Sequence, residues 1–329
     1  MSEDSVSIQS LNGISDRLGE NVSHVEDLRR LSGGASQETW SFYAVSPAGR
    51  RKLILRQSPF ASSGDKGADL KTEALILRGL DGSGIPAPAV VYVCEPQDQI
   101  GSAYIMEAIE GEALPQKIMR DPKYAKGLPN IASQCGVALA KLHSVSTANL
   151  PVLETLGALD QVEKYETLLR QYGLERPVLE LAIKWLKDNA PQTESTSLIH
   201  GDFRMGNLMI DENGLSGILD WELCHLGDPL EDIGWLCVNS WRFGQRQKRV
   251  GGVGELSELL DAYNAQSGTS YTSKDVDYWE ILGTLKWGIM CATMYDTFRT
   301  GMDPSIERGS IGRRTSETEI DLMNILETV

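Results

Sequence analysis

One stretch of this 329-residue chain breaks with the patterning around it. Beyond residue 130, apolar residues recur at helical spacing over 131–145, 159–172, 177–189, 255–266, 276–299 and 315–328, and a β-like island at 197–220 interrupts them. The island runs SLIHGDFRMGNLMIDENGLSGILD and continues into WE at 221–222. Two short apolar runs, LMI at 208–210 and GIL at 217–219, flank the turn residues Glu212, Asn213 and Gly214, which predicts a small hairpin. Asn207 stands just before the first run and Asp220 just after the second, so an antiparallel hairpin would bring an amide oxygen and a carboxylate to one end.

The first third of the chain has a different period. Residues 38–45 (ETWSFYAV) and 52–57 (KLILRQ) are β-rich and separated by the turn SPAG, a hairpin pattern. One helix is predicted at 69–80 (DLKTEALILRGL), and two further strands at 90–94 and 103–106. The second runs into Glu107, Ala108, Ile109, Glu110 and Gly111, the expected hinge. The fold class is therefore α+β: a small antiparallel-sheet lobe over 1–107 with one helix, followed by a mainly helical lobe over 108–329 that contains the island.

Composition narrows the functional classes. A formal charge of -15 argues against nucleic acid as a partner, because phosphate-backbone binding needs clustered Lys and Arg. No stretch approaches the roughly 20 apolar residues of a membrane helix, and the N-terminus MSEDSVSIQS is polar and acidic, unlike a secretory signal. A cytoplasmic, membrane-free protein is expected. Cys94, Cys135, Cys224, Cys237 and Cys291 are scattered and never form a CxxC pair, which predicts reduced core thiols rather than disulfides or a zinc site.

The chemistry concentrates in the island. Asn207 and Asp220 offer oxygen ligands of the kind Mg²⁺ takes from protein while phosphates and water supply the rest. Asp202, five residues before Asn207, would lie across the loop, where it could accept the proton of an attacking hydroxyl. A base beside a metal is the arrangement phosphoryl transfer needs. Loop aspartates also cap turns, the competing reading for each of them taken singly.

HGDFRMGN at 200–207, ILDWE at 218–222 and GDPLEDIGWL at 227–236 resemble, in order and spacing, the aminoglycoside phosphotransferase and related small-molecule kinase family, a branch of the protein-kinase-like fold. The resemblance implies an ATP- and Mg²⁺-dependent transfer of the γ-phosphoryl group to a hydroxyl of a small molecule. It implies Asp202 as catalytic base, Asn207 and Asp220 as metal ligands, and His200 and Gly201 as supports of the loop, His200 being read as a packed, hydrogen-bonded histidine. Asp228 and Asp232 are expected to brace the loop. Upstream, Ser32, Gly33, Gly34, Ala35 and Ser36 stand where the family has its nucleotide loop. Glu73 resembles the helical acid that pairs with a cation on the third strand, where Arg56 replaces the usual lysine. Met106, Glu107 and Ala108 resemble the segment that reads adenine. A nucleotide-binding pseudokinase acting as a regulatory module, or a true aminoglycoside phosphotransferase, are the alternatives the resemblance leaves open.

Arg204, two residues after Asp202, is placed to steady the transferring phosphoryl group. The basic, aromatic segment WRFGQRQKR at 241–249 stands out in an acidic chain, and Arg242 and Arg246 are its candidate acceptor-binding residues. Such cations suit an anionic hydroxy compound, a hydroxyacyl thioester for example, better than a polycationic sugar. The aromatics Tyr278, Trp279, Trp287 and Tyr295 of 276–299 read as core.

Overall fold

The computed structural model describes residues 6–31, 37–58, 69–173, 175–192 and 196–329. It divides into two compact units. The first comprises 1–111, 148–152 and 216–224, and the second 112–147, 153–215 and 225–329. The single cut expected after residue 107 thus falls four residues later, and the segment carrying Asp220 is counted with the sheet. The reason is local: the Ile218 N–H donates to the Pro86 carbonyl at 2.7 Å and the Ser216 hydroxyl to the Glu110 carbonyl at 2.8 Å.

In the first unit a short helix α1 (Ile8–Asn12) precedes strands β1 (His24–Arg30), β2 (Glu38–Ser46) and β3 (Gly49–Gln57). Helix α2 (Leu70–Gly79) and strands β4 (Val90–Val93) and β5 (Ala103–Glu107) complete it. The sheet order is β1-β2-β3-β5-β4, and every pair is antiparallel. Strand β1 was not among the strands expected from the sequence. Its run HVEDLRR buries only Val25 fully, so the alternation that reveals a strand is nearly absent. Phe42, Ala44, Leu53, Leu55 and Ile105 bury one sheet face against Leu11, Ile14 and Leu18. Each fully buried side chain of this size contributes about 1.5–3 kcal/mol. Strand periodicity then decides where Arg56 goes: Leu53, Leu55 and Gln57 of β3 are buried in alternation, so Ile54 and Arg56 take the opposite face.

In the second unit α3 (Pro115–Ile118), α4 (Ile131–His143), α5 (Ala158–Gln171) and α6 (Pro177–Asp188) lead to strand β6 (Ser197–Ile199). Strands β7 (Leu208–Asp211) and β8 (Gly214–Ile218) form the expected two-stranded hairpin, and β9 (His225–Gly227) pairs with β6. Then follow α7 (Leu230–Cys237), α8 (Leu256–Ser267), the 27-residue α9 (Ser273–Arg299), α10 (Ile306–Gly312) and α11 (Thr315–Leu326). Each of the six helices expected beyond residue 130 is present, with no end more than three residues from where it was expected. Close helix approach depends on glycine. A Cβ on Gly136 of α4 would meet the Leu259 carbonyl oxygen of α8 at 2.2 Å, and one on Gly234 of α7 would meet the Trp279 Cβ of α9 at 2.4 Å. Tyr278, Trp279 and Trp287 are buried as expected, whereas Tyr295 is exposed. Among the described residues no helix is long and apolar enough to cross a membrane. All five cysteines are free, four of them buried, and burial pushes the thiols of Cys135 and Cys237 up to about 12.

Candidate active site

Two clusters of ionisable residues lie where the motifs predicted chemistry, one in each unit.

The cluster of the first unit centres on Arg56. Strand register places Arg56 of β3 opposite Tyr104 of β5, so both project from one face. Both converge on Glu73 of α2: the Arg56 guanidinium lies 3.4 Å from its Oε1, and the Tyr104 hydroxyl donates to the same oxygen at 2.9 Å. Glu73 is fully buried. Its burial pushes the carboxyl pKa up, against the opposing pull of Arg56 and the Tyr104 hydrogen bond. The expected Arg56–Glu73 pair is therefore present. The other arm of the guanidinium reaches Asp220, with Nη2 2.9 Å from Oδ1, while Nε donates to the Gln37 side chain at 2.8 Å. Burial works against the charge on Arg56, yet Glu73, Tyr104 and Asp220 more than offset it and raise its pKa. The guanidinium fork thus closes on two carboxylates.

Asp220 adopts a left-handed backbone conformation, φ 70° and ψ 66°, which costs energy for a non-glycine residue and is most often retained where function demands it. Next to it Glu222 stands 4.0 Å from Arg56 and accepts from the Gln37 amide at 3.3 Å. A lysine at 56 would keep the charge but has one ammonium for two carboxylates. Arg56→Lys is expected to cost about 1–2 kcal/mol of stability, read as a lowered urea midpoint, and an unchanged midpoint would mean the fork contributes nothing.

Nearby elements of the nucleotide reading fare differently. The loop at Ser32, Gly33, Gly34, Ala35 and Ser36 lies outside the described residues. At the end of β5, the N–H of Glu107 donates to the Ala89 carbonyl at 2.9 Å and that of Ala108 to the Lys52 carbonyl at 3.3 Å. Those two donors are already used within the unit, and the Glu107 carboxylate pairs with Arg51. Met106 is buried.

The second cluster is built on the turn between β6 and β7. Gly201 occupies φ 80°, a conformation glycine takes freely, and this swings the chain out of β6 into Asp202. Beneath it, Asp232 in the first turn of α7 accepts the His200 N–H at 2.8 Å on Oδ2 and the Gly201 N–H at 2.9 Å on Oδ1. His143 of α4 lies 3.2 Å from the same carboxylate and 3.0 Å from the Tyr263 hydroxyl. His200 is fully buried, accepts the Asp202 N–H on Nδ1 at 3.2 Å and meets Phe203 edge-on, so it is the packed histidine expected. Asp232 is the brace expected, and Asp228 accepts the Leu230 N–H at 2.9 Å at the start of α7.

The Asp202 carboxylate is held by three side chains. Arg204 Nε lies 3.0 and 3.2 Å from its two oxygens, the Asn207 amide donates to Oδ2 at 2.6 Å, and the Trp235 indole donates to Oδ1 at 2.7 Å. Asn207 also donates to the Asp202 carbonyl at 2.9 Å, so its nitrogen is fixed inward and its amide oxygen is left for another partner. The Arg204 guanidinium lies 4.9 Å from the centre of the Trp241 ring, and Gly206 makes room for it, since a Cβ there would sit 2.4 Å from Nη1. Sequence reasoning found Asp202, Arg204 and Asn207 and missed Trp235, Lys286 and Tyr104. Trp235 sits inside the recognised GDPLEDIGWL stretch, the only signal that could have drawn attention to it.

The expected acceptor cations need a correction. Arg242 is buried, and its guanidinium is spent on the Cys237 carbonyl, the Arg246 carbonyl and the Glu280 carboxylate at 2.5 Å. Arg249 is held by Glu280 and Asp277. These two arginines staple the segment to α9, and Arg242 has no free edge for a ligand. Arg246 is exposed.

A sequence profile described as "Phosphotransferase enzyme family" matches residues 27–273, three quarters of the chain. Acyl-CoA dehydrogenase family member 10 of Mus musculus is 28% identical over 234 residues, covering 67% of this chain and 21% of its own length. The chain spans between about a fifth and just over a third of the length of the acyl-CoA dehydrogenase family members 10 and 11 it matches. 4-Hydroxytryptamine kinase of Psilocybe cyanescens is 25% identical over 266 residues, 72% of this chain and 73% of that protein. In fold, the chain is similar to a crystal structure from Ralstonia eutropha provisionally described as an aminoglycoside phosphotransferase, with a TM-score of 0.78, 20% identity and 98% of each chain covered. By that profile match over three quarters of its length, the chain belongs to the phosphotransferase enzyme family.

Proposed function

We propose that this protein is an ATP-dependent kinase that transfers the γ-phosphoryl group to a hydroxyl of a small anionic molecule, with Asp202 as the general base. The observation that carries the reading is the Asp202 carboxylate itself, aligned by Arg204, Asn207 and Trp235 on a turn braced from below by Asp232. An aligned carboxylate can take the proton of an attacking hydroxyl as the bond to phosphorus forms.

Arg204 and Trp235 both bear on Oδ1, and Arg204 and Asn207 both bear on Oδ2, so each oxygen already accepts two hydrogen bonds. The acceptor hydroxyl therefore replaces Arg204. A phosphoryl group gaining charge is the partner that draws the guanidinium away, which gives Arg204 two roles in turn: counter-ion of the base, then stabiliser of the transferring group. Asn207, through its uncommitted amide oxygen, and Asp220 are the proposed Mg²⁺ ligands, an all-oxygen pair suited to a hard cation. The bound ion would neutralise charge on the donor phosphates. On the donor side the Arg56–Glu73 pair is the proposed phosphate-orienting element, and Met106, Glu107 and Ala108 remain the proposed adenine-reading segment. Ser32, Gly33, Gly34, Ala35 and Ser36 are proposed to cover the phosphates.

A small-molecule acceptor is supported by a concavity of about 600 Å³ in the second unit, within the usual range for such sites. Leu114, Pro115 and Phe243 give it apolar walls, and Arg120, Asp121 and Lys117 lie on its lining, Lys117 paired with the Glu112 carboxylate. Phe243, which lines it, is held at φ 47°, a strained backbone conformation for an aromatic residue. Arg246, three residues on, is the exposed cation carried forward from the sequence. Relatives named for acyl-CoA chemistry make a hydroxyacyl thioester a natural member of this acceptor class.

The test is a thermal-shift titration with Mg-ATP followed by an ATP-consumption screen over hydroxy acids, hydroxyacyl thioesters, amino alcohols, sugars and aminoglycosides. Turnover is expected with an anionic hydroxy compound. Nucleotide-induced stabilisation without turnover of any acceptor would favour a pseudokinase module instead, and preferential turnover of aminoglycosides would overturn the anionic assignment.

A further inference from the structure

Two of the three side chains on the Asp202 carboxylate, Arg204 and Asn207, belong to its own turn and move with it. Among the described residues only Trp235 connects the carboxylate to a packed helix. Trp235 is buried on α7, and its ring is seated on two residues of α9 one turn apart. Gly283 leaves the space for it: a Cβ there would lie 3.2 Å from the ring atom Cε3. Lys286 places Nζ 4.5 Å from the ring centre and donates to the Gly201 carbonyl at 3.2 Å. The helix that carries the indole's seat therefore also holds the backbone immediately before Asp202. Trp241 closes the other side, with ring centres 5.3 Å apart, and the same Trp241 ring supports Arg204.

We propose that Trp235 is a positioning residue for phosphoryl transfer: its indole N–H fixes the Asp202 carboxylate to the α7–α9 pair and keeps it aimed when Arg204 leaves for the phosphoryl group. Once Arg204 has gone, Trp235 on Oδ1 and Asn207 on Oδ2 still hold one oxygen each, and each oxygen regains one acceptor position for the hydroxyl. An indole suits this role because it has one donor, two side-chain torsions and a ring large enough to be locked by packing. A misplacement of the base by about 1 Å costs on the order of a hundredfold in rate.

This inference rests on the reading of Asp202 as the base, so the two are tested side by side in the full chain. Trp235→Phe keeps an aromatic ring and removes the N–H. It is expected to lower kcat for ATP consumption about 10- to 100-fold, with the best acceptor from the screen or with water, while KM for Mg-ATP stays within about twofold of the parent. A packing defect alone would lower the melting temperature without this split. If Trp235→Phe keeps the parental kcat while Asp202→Asn is inactive, the positioning role is overturned and the base survives. Should Asp202→Asn turn over as fast as the parent, or the parent consume no ATP with any acceptor, both readings fall. The geometry has its own readout in case Trp235→Phe does not fold: in ¹⁵N-correlated spectra one exchange-protected indole N–H signal is expected to move in Asp202→Asn, and seven unmoved tryptophan signals would overturn the proposal.

Discussion

Asp202→Asn is expected to lower kcat for phosphoryl transfer about a hundred- to ten-thousand-fold, the usual worth of a general base, while Mg-ATP still stabilises the protein against heat. The substitution is nearly isosteric, and the amide oxygen can still accept from the Trp235 indole or from Arg204, so the turn keeps most of its frame. What it loses is the ability to take a proton. The split between intact nucleotide binding and lost turnover separates a chemical role from a folding role, since a collapsed turn would be expected to lose both. Turnover within about threefold of the parent would remove Asp202 from the chemistry and with it the kinase mechanism.

The second large effect is expected in stability. Asp232→Ala removes the carboxylate that receives the His200 and Gly201 N–H groups and faces His143, all of them buried residues of the second unit. Leaving those donors without partners is expected to cost about 3–5 kcal/mol, read from urea unfolding, and a loss below about 1 kcal/mol would mean water or a neighbour replaces the carboxylate. Acid supplies a second measure. Burial works to raise the Asp232 pKa, but hydrogen bonds and charge from His143 and His200 outweigh it, and the carboxyl sits below the ordinary value of 3.8. A depressed native pKa means the unfolded chain takes up the proton first. The stabilisation is whole above about pH 4 and is lost as pH falls further, through the native pKa. Asp232→Asn should therefore flatten the fall in stability below about pH 4, whereas an unaltered acid limb would show that another carboxylate dominates it.

Much of the fold could be read in advance because its signals are short in range. The 3.6-residue period of α4, α5, α6, α8, α9 and α11, and the alternation in β2 and β3, are properties of neighbours in the chain. β1 escaped notice because a strand that buries one residue out of seven shows no alternation. The site divides the same way. Asp202, Arg204 and Asn207 lie within six residues, so one turn sets most of their mutual geometry and their order alone suggested it. The Glu73 pairing with Arg56 was also legible, through the helix and strand that family resemblance assigned to them. Tyr104, the third member, was not, because only the β3–β5 register puts it beside Arg56.

Lys286 and Arg242 are the instructive cases. A lysine in a long helix and an arginine in a basic run both read as solvent-facing, yet Lys286 is buried beneath Trp235 and Arg242 is spent on Glu280, 38 residues away. By itself the sequence determined the change from strands to helices and the turn that carries Asp202, since periodicity and local spacing suffice for these, and its motifs carried the resemblance to the family. Only the tertiary structure decided which charges remain available. A residue's partner across the core depends on burial and long-range packing, and a buried charge persists only where that packing supplies a counter-charge or donors at hydrogen-bonding distance. That is why Arg246 remains a candidate for the acceptor, Arg242 does not, and Trp235 emerged as a hydrogen-bond donor to Asp202, the carboxylate that the motif had already marked.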